Sequence, residues 1–157
     1  EDNVRLKREL GGGTLYDIGV YCINAARSLF QAGPSEVHAS SISGKDPRFG
    51  EIDEMTGAVL LFPEERLASF TCSFGAADVS AYELVGTEGS LRVEPAYEYV
   101  GVLKHRLTVK GKTRERTFSS RDQFAPELIY FSNCIINDVD PEPSEAEGLA
   151  DGISVRP

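Results

Sequence analysis

The sequence predicts an α+β fold: a mostly antiparallel, open-faced sheet with helices packed on one face. Three observations lead there. An amphipathic helical run stands near the start, a long series of short strands separated by turns fills the middle, and a second helical run follows. The strands do not alternate with helices as a parallel sheet requires.

In the first helical run, residues 14–31, Leu15, Ile18, Cys22, Ala25 and Leu29 recur at steps of three and four. Gly33-Pro34 closes the run, and Thr14 is placed as its N-cap. Between 36 and 118, turns are expected at Gly44-Lys45-Asp46-Pro47, Phe62-Pro63-Glu64-Glu65, Gly75 to Asp78, Gly86 to Gly89 and Lys110-Gly111-Lys112. From Arg66 to Phe74, Ala68, Phe70, Cys72 and Phe74 alternate with Leu67, Ser69, Thr71 and Ser73. Strand geometry sends the apolar set to the helices and leaves the hydroxylated set on an open face, which water alone can cover. Residues 124–138 make the second amphipathic helix, with Pro126 in its first turn and Gln123 and Phe124 as cap and staple elements.

A chain of 157 residues buries roughly 68–70% of its unfolded surface, enough for a core without staples. No apolar stretch approaches the ~20 residues that span a bilayer, and the polar start, Glu1-Asp2-Asn3, is no signal peptide, so no membrane partner is expected. A net charge of −9 argues against nucleic acid as a partner. The local basic run Lys104-His105-Arg106 with Lys110, Lys112, Arg114 and Arg116 reads as a solvated hairpin face. Cys22, Cys72 and Cys134, odd in number and set in apolar stretches, read as reduced thiols of a cytoplasmic protein. None has metal-ligand spacing, and His38 and His105 stand alone on expected strands, so no metal is expected.

The chemistry concentrates in Gly11-Gly12-Gly13-Thr14-Leu15-Tyr16-Asp17-Ile18-Gly19-Val20-Tyr21. Residues four apart share a helix face, so Asp17 and Tyr21 can address one substrate atom, the phenol exchanging a proton and the carboxylate orienting a hydroxyl. A structural alternative stands beside this: an Asp at a helix start complements the dipole, and a Tyr packs its ring. The glycines either serve a loop that needs positive φ or let an anion or substrate approach the helix N-terminus. Arg5 taken alone reads as a surface ion pair.

The string GGGTLYDIGVYCINAARSLF resembles the start of the C-terminal domain in the glucose-fructose oxidoreductase, inositol dehydrogenase and MocA family, with its GG-x-L-x-D-x-G-x-Y/H segment. Three more stretches agree in order: Val85-Gly86-Thr87-Glu88-Gly89-Ser90-Leu91, then Asp122-Gln123-Phe124-Ala125-Pro126-Glu127 with Phe131 and Cys134-Ile135, then Pro143-Ser144 with Glu147-Gly148-Leu149-Ala150-Asp151. The resemblance implies a dihydrodipicolinate-reductase-like C-terminal domain over 1–157, a single domain for substrate binding and oligomerisation. The family's other half, an N-terminal Rossmann domain with a lysine on an E-K-P motif, has no counterpart here, and no G-x-G-x-x-G occurs. The full-length protein would then be an NAD- or NADP-dependent oxidoreductase of a sugar or related cyclic alcohol, and this chain by itself would be inactive and bind no cofactor. Tyr21 is implied as acid/base and Asp17 as the residue orienting substrate, with Arg5, Gly12, Gly13 and Gln123 as substrate-binding residues. Tyr at the second motif position points to the glucose-fructose oxidoreductase-like branch. The implied partners are the protein's own Rossmann domain, a sugar-like substrate, and a second copy joined through the open sheet face in a dimer or higher oligomer. The alternative is a ligand-sensing regulator or a non-catalytic self-association module on the same fold.

Overall fold

Strand β2 (Met55–Phe62) buries Thr56, Ala58, Leu60 and Phe62 and turns the residues between them outward, the two-residue period of a sheet covered on one side. β1 (Glu36–Ile42) and β3 (Arg66–Ser73) flank it, both antiparallel. The structure, a computed structural model, describes residues 3–153, which divide into two compact units, residues 77–142 forming the second. A second antiparallel sheet lies in that unit, in place of one continuous sheet.

In the first unit, helix α1 (Val20–Phe30) packs on the covered face of β2 and β3. Ile23, Leu60 and Phe62 form the core, with Leu15, Ala26, Phe30, Ala32, Ala68 and Phe70 against them. The Phe30 and Phe62 rings meet edge to face at 4.9 Å. Arg66 closes the C-terminal end of α1 by donating to the Phe30 carbonyl at 2.7 Å. Helix α3 (Glu145–Ile153) contacts α1, where Arg27 pairs with Glu147 at 3.3 Å.

The start of α1 departs from the expected regular helix. Residues Leu15–Gly19 form a wide π turn, with the Val20 amide reaching back to the Leu15 carbonyl. The additional residue in this turn rotates the rest of the helix, so the core stripe beyond Leu15 runs through Gly19, Ile23, Ala26 and Phe30. Leu29, expected inside, is 44% exposed, whereas Ile23 is 1% exposed. Gly19 makes this packing possible: a Cβ there would lie 2.8 Å from Leu15 Cδ1 and 3.3 Å from the Phe70 ring. Thr14 is no N-cap either; its backbone is already helical and its side chain caps nothing.

In the second unit, β4 (Tyr82–Gly86), β5 (Gly89–Val93), β6 (Leu103–Val109) and β7 (Lys112–Phe118) form an antiparallel meander in sequence order. Its first hairpin turns at 86–89, as the Gly-Thr-Glu-Gly spacing predicts. The basic residues of the β6–β7 hairpin fall on both sheet faces rather than one. Arg106 opposes Glu115 at 2.8 Å, while Arg116 opposes His105 and reaches over Phe118. Helix α2 (Phe124–Asn137) comes next, and Asp122 caps it by accepting from the Phe124 and Ala125 amides. Gln123 makes no side-chain cap bond. Phe124, Leu128, Ile129, Phe131, Ile135 and Ile136 are all exposed.

Candidate active site

The loop before α1 is built by its own backbone. Gly12 donates to the Lys7 carbonyl at 2.8 Å and Gly13 to the Arg5 carbonyl at 3.0 Å. A Cβ on Gly12 would come within 2.5 Å of the Arg5 oxygen, and Gly13 sits at φ 128°. These are the demands of a tight loop, and both amides are spent on carbonyls rather than held open for an anion. Arg5 lies in the 3₁₀ turn Val4–Leu6.

This folding brings Arg5 to Asp17. The Arg5 Nε donates to Asp17 Oδ1 at 2.8 Å, with side-chain exposures of 61% and 31%. A pair this open contributes about 0–1 kcal/mol to stability, so its effect is orientation. One turn further on, Tyr21 is 59% exposed, on a different side from the buried Ile23. A carboxylate with a fixed guanidinium and an exposed phenol on one helix start can accept hydroxyl hydrogen bonds and exchange a proton. Gln123 stands in the second unit, exposed, just before α2.

Nothing in the sequence marks a further carboxylate under this helix. Asp53, in the segment leading into β2, accepts the Thr14 amide at 3.1 Å, the Thr14 hydroxyl, and the Thr56 hydroxyl at 2.9 Å, all on Oδ2. Each hydroxyl carries one proton, so with Thr14 and Thr56 both donating to Asp53, the Ser41 hydroxyl donates to Thr56 at 2.8 Å. Thr14 and Thr56 are 0% and 1% exposed. Cys72 lies beneath, its sulfur 3.5 Å from the Thr14 carbonyl, and burial pushes its thiol up, keeping it a neutral donor. Only the chain's tertiary pairing reveals Asp53, since 39 residues separate it from Thr14.

Burial raises the Asp53 carboxyl, but the hydrogen bonds from Thr14 and Thr56 outweigh it and leave it below the ordinary carboxylate range. A carboxyl lowered on folding stabilises the fold at pH above its unfolded value, about 3.9, and loses that contribution as pH falls through the folded value. The stability gap between the parent and Asp53→Asn is therefore expected to be full above about pH 5 and to narrow below about pH 4. Unfolding midpoints measured across that range check this; a gap that stays constant contradicts it.

His38 pairs with Glu36 at 2.7 Å, and His105 packs on Phe118. Among the described residues no group of His, Cys, Asp and Glu is arranged to hold a metal ion, and no helix is long and apolar enough to cross a membrane.

The fold, two antiparallel sheets with helices set by a glycine loop and a D-x-G-x-Y helix start, is matched by comparison with known proteins. The family model described as the GFO/IDH/MocA C-terminal domain matches residues 1–92. The chain belongs to the GFO/IDH/MocA family. It is 36% identical over 152 residues to the D-xylose 1-dehydrogenase (NADP(+)) of Haloarcula marismortui, covering 96% of this chain and 42% of that protein. It superposes on the aldose-aldose oxidoreductase from Caulobacter crescentus, solved with glycerol, with a TM-score of 0.86 at 33% identity, over 96% of this chain and 45% of that one. A tyrosine-to-phenylalanine mutant of KijD10, a 3-ketoreductase from Actinomadura kijaniata solved with TDP-benzene and NADP, shares the fold at a TM-score of 0.80 and 23% identity, over 96% of this chain and 46% of that one. The chain thus spans less than half the length of these relatives.

Proposed function

We propose that this chain is the substrate-binding half of an NADP-dependent oxidoreductase that acts on a sugar or a related cyclic alcohol. The observation that carries the reading is the Arg5–Asp17 pair at 2.8 Å, with Asp17 four residues before the exposed Tyr21. The names of the xylose dehydrogenase and aldose oxidoreductase relatives support the substrate class, and the former supports NADP over NAD. Tyr21 takes the proton of the hydroxyl being oxidised, or returns it in reduction. Asp17, with one oxygen held by Arg5, accepts the neighbouring hydroxyl with the other.

The residues present do not fit a dinucleotide. The loop amides that would cradle a phosphate are engaged by Lys7, Arg5 and Asp53. The nicotinamide belongs to the remainder of the full-length protein, the partner Rossmann domain, and supplies the hydride chemistry there. Gly12 and Gly13 serve substrate binding through the loop's shape, and Gln123 is the proposed substrate-binding residue of the second unit. The full-length protein is expected to reduce NADP with a free aldose at a saturable rate. Absence of turnover with every pyranose tested, despite NADP binding, would contradict the reading.

The open sheet face serves self-association in the same proposal. Cross-strand pairing sets Ser40, Gly57 and Thr71 in one row and His38, Val59 and Ser69 in the next, with exposed Leu67 and Ile42 at the ends. Small side chains on such a face let two sheets approach closely. Sedimentation of the full-length protein should give a dimer or higher oligomer that Thr71→Arg dissociates. An oligomer indifferent to Thr71→Arg excludes this face.

A further inference from the structure

We infer that Asp53 is a positioning residue for the proposed site, acting through Thr14 to set the start of the helix that carries Asp17 and Tyr21. This rests on the proposed chemistry of Asp17 and Tyr21 and adds the group that holds those side chains in place. A helix start normally gets its cap from its own N-cap residue. Here Thr14 supplies none, and the first turn is held from outside by the Asp53 carboxylate, which takes both the Thr14 amide and the Thr14 hydroxyl.

The same segment holds the loop that carries Arg5, through Lys7 and Arg8. Glu51 receives Lys7 Nζ at 3.1 Å on its carboxylate and Arg8 Nε at 2.8 Å on its carbonyl. The Gly13 amide then ties back to the Arg5 carbonyl, and the Asp17 amide to the Gly13 carbonyl at 3.2 Å. Residues 51–53 therefore anchor the loop bearing Arg5 on one side and the turn bearing Asp17 on the other. Thr56 and Ser41 fix the carboxylate from the sheet, so the anchor is referred to β1 and β2 rather than to the loop itself. Gly13 fits against it closely, since a Cβ there would lie 3.2 Å from Asp53 Oδ1. No atom of Asp53 needs to reach substrate for it to matter; groups that orient a reacting side chain act through its placement.

The experiment compares Asp53→Asn, Thr14→Val and Thr14→Ser in the full-length protein, with Tyr21→Phe as a control. Turnover of NADP with aldose is read alongside amide hydrogen exchange over residues 14–21. Asp53→Asn and Thr14→Val are expected to lower kcat about 10- to 10²-fold, the scale set by a misplaced catalytic group. Exchange over 14–21 should quicken in both while β2 and β3 stay protected and the KM for NADP is unchanged. Thr14→Ser keeps both bonds to Asp53 and should stay within about threefold of the parent, far short of that loss. Parental turnover and parental exchange in folded Asp53→Asn overturn the inference, as does an equal loss in Thr14→Ser and Thr14→Val. Faster exchange over 14–21 in Asp53→Asn together with full activity in Tyr21→Phe supports the positioning role and counts against the proposed chemistry. Unchanged exchange with a large loss in Tyr21→Phe counts against Asp53 alone.

Discussion

Tyr21→Phe in the full-length protein is expected to lower turnover about 10²- to 10⁴-fold, the range for removing a general acid-base group. The substitution keeps the ring and removes only the hydroxyl. Because Tyr21 is 59% exposed, the phenol contributes little to packing, so the unfolding midpoint should barely move. Activity and stability therefore separate cleanly at this position. Turnover within about threefold of the parent would assign the phenol to the surface and remove it from the chemistry.

Asp17→Asn should be the second largest effect. It removes the charge that Arg5 engages at 2.8 Å and, in the proposal, the charge that receives a substrate hydroxyl. Hydrogen bonds to charged groups are worth about 1.5–3 kcal/mol, so kcat/KM should fall roughly 10- to 150-fold. Both kcat and the aldose KM should change, because orientation matters before and during proton transfer. Stability should change by about 1 kcal/mol or less, since the ion pair is largely exposed. Steady-state kinetics together with thermal unfolding check the division; a loss confined to stability would make Asp17 a dipole partner of the helix.

How far the sequence discloses this molecule depends on the range of the interaction. Strand alternation is local and legible: Ala68, Phe70 and Cys72 face the covered side and Leu67, Ser69 and Thr71 face outward, as their spacing predicts. The turn at 86–89 and the helix over 124–137 are likewise set by neighbouring residues. The register of α1 is not local. The π turn at 15–19 ends on Gly19, where a Cβ would meet Phe70 at 3.3 Å and Cys72 at 3.4 Å on a strand about fifty residues away, a fit that regular three-and-four spacing does not encode. The cap obeys the same logic, for Thr14 has the chemistry of an N-cap and is captured instead by Asp53. Arg5 and Asp17 are each legible as candidates, but their contact arises from how the glycine loop folds back on residues 5–7. The division into two sheets depends on which strands pair, and strand spacing alone does not choose the partners.

In the proposed chemistry the helix start is the place where a sugar hydroxyl is held and its proton removed. A crystal structure of the full-length protein with NADP and an aldose tests this most directly. The expected result is the Tyr21 hydroxyl within hydrogen-bond reach, about 2.6–3.2 Å, of the sugar hydroxyl at the reacting carbon, and Asp17 on the adjacent hydroxyl with Arg5 still at its side. An aldose bound in reacting position with Tyr21 pointing into solvent, or with Asp17 touching no part of the sugar, would contradict it.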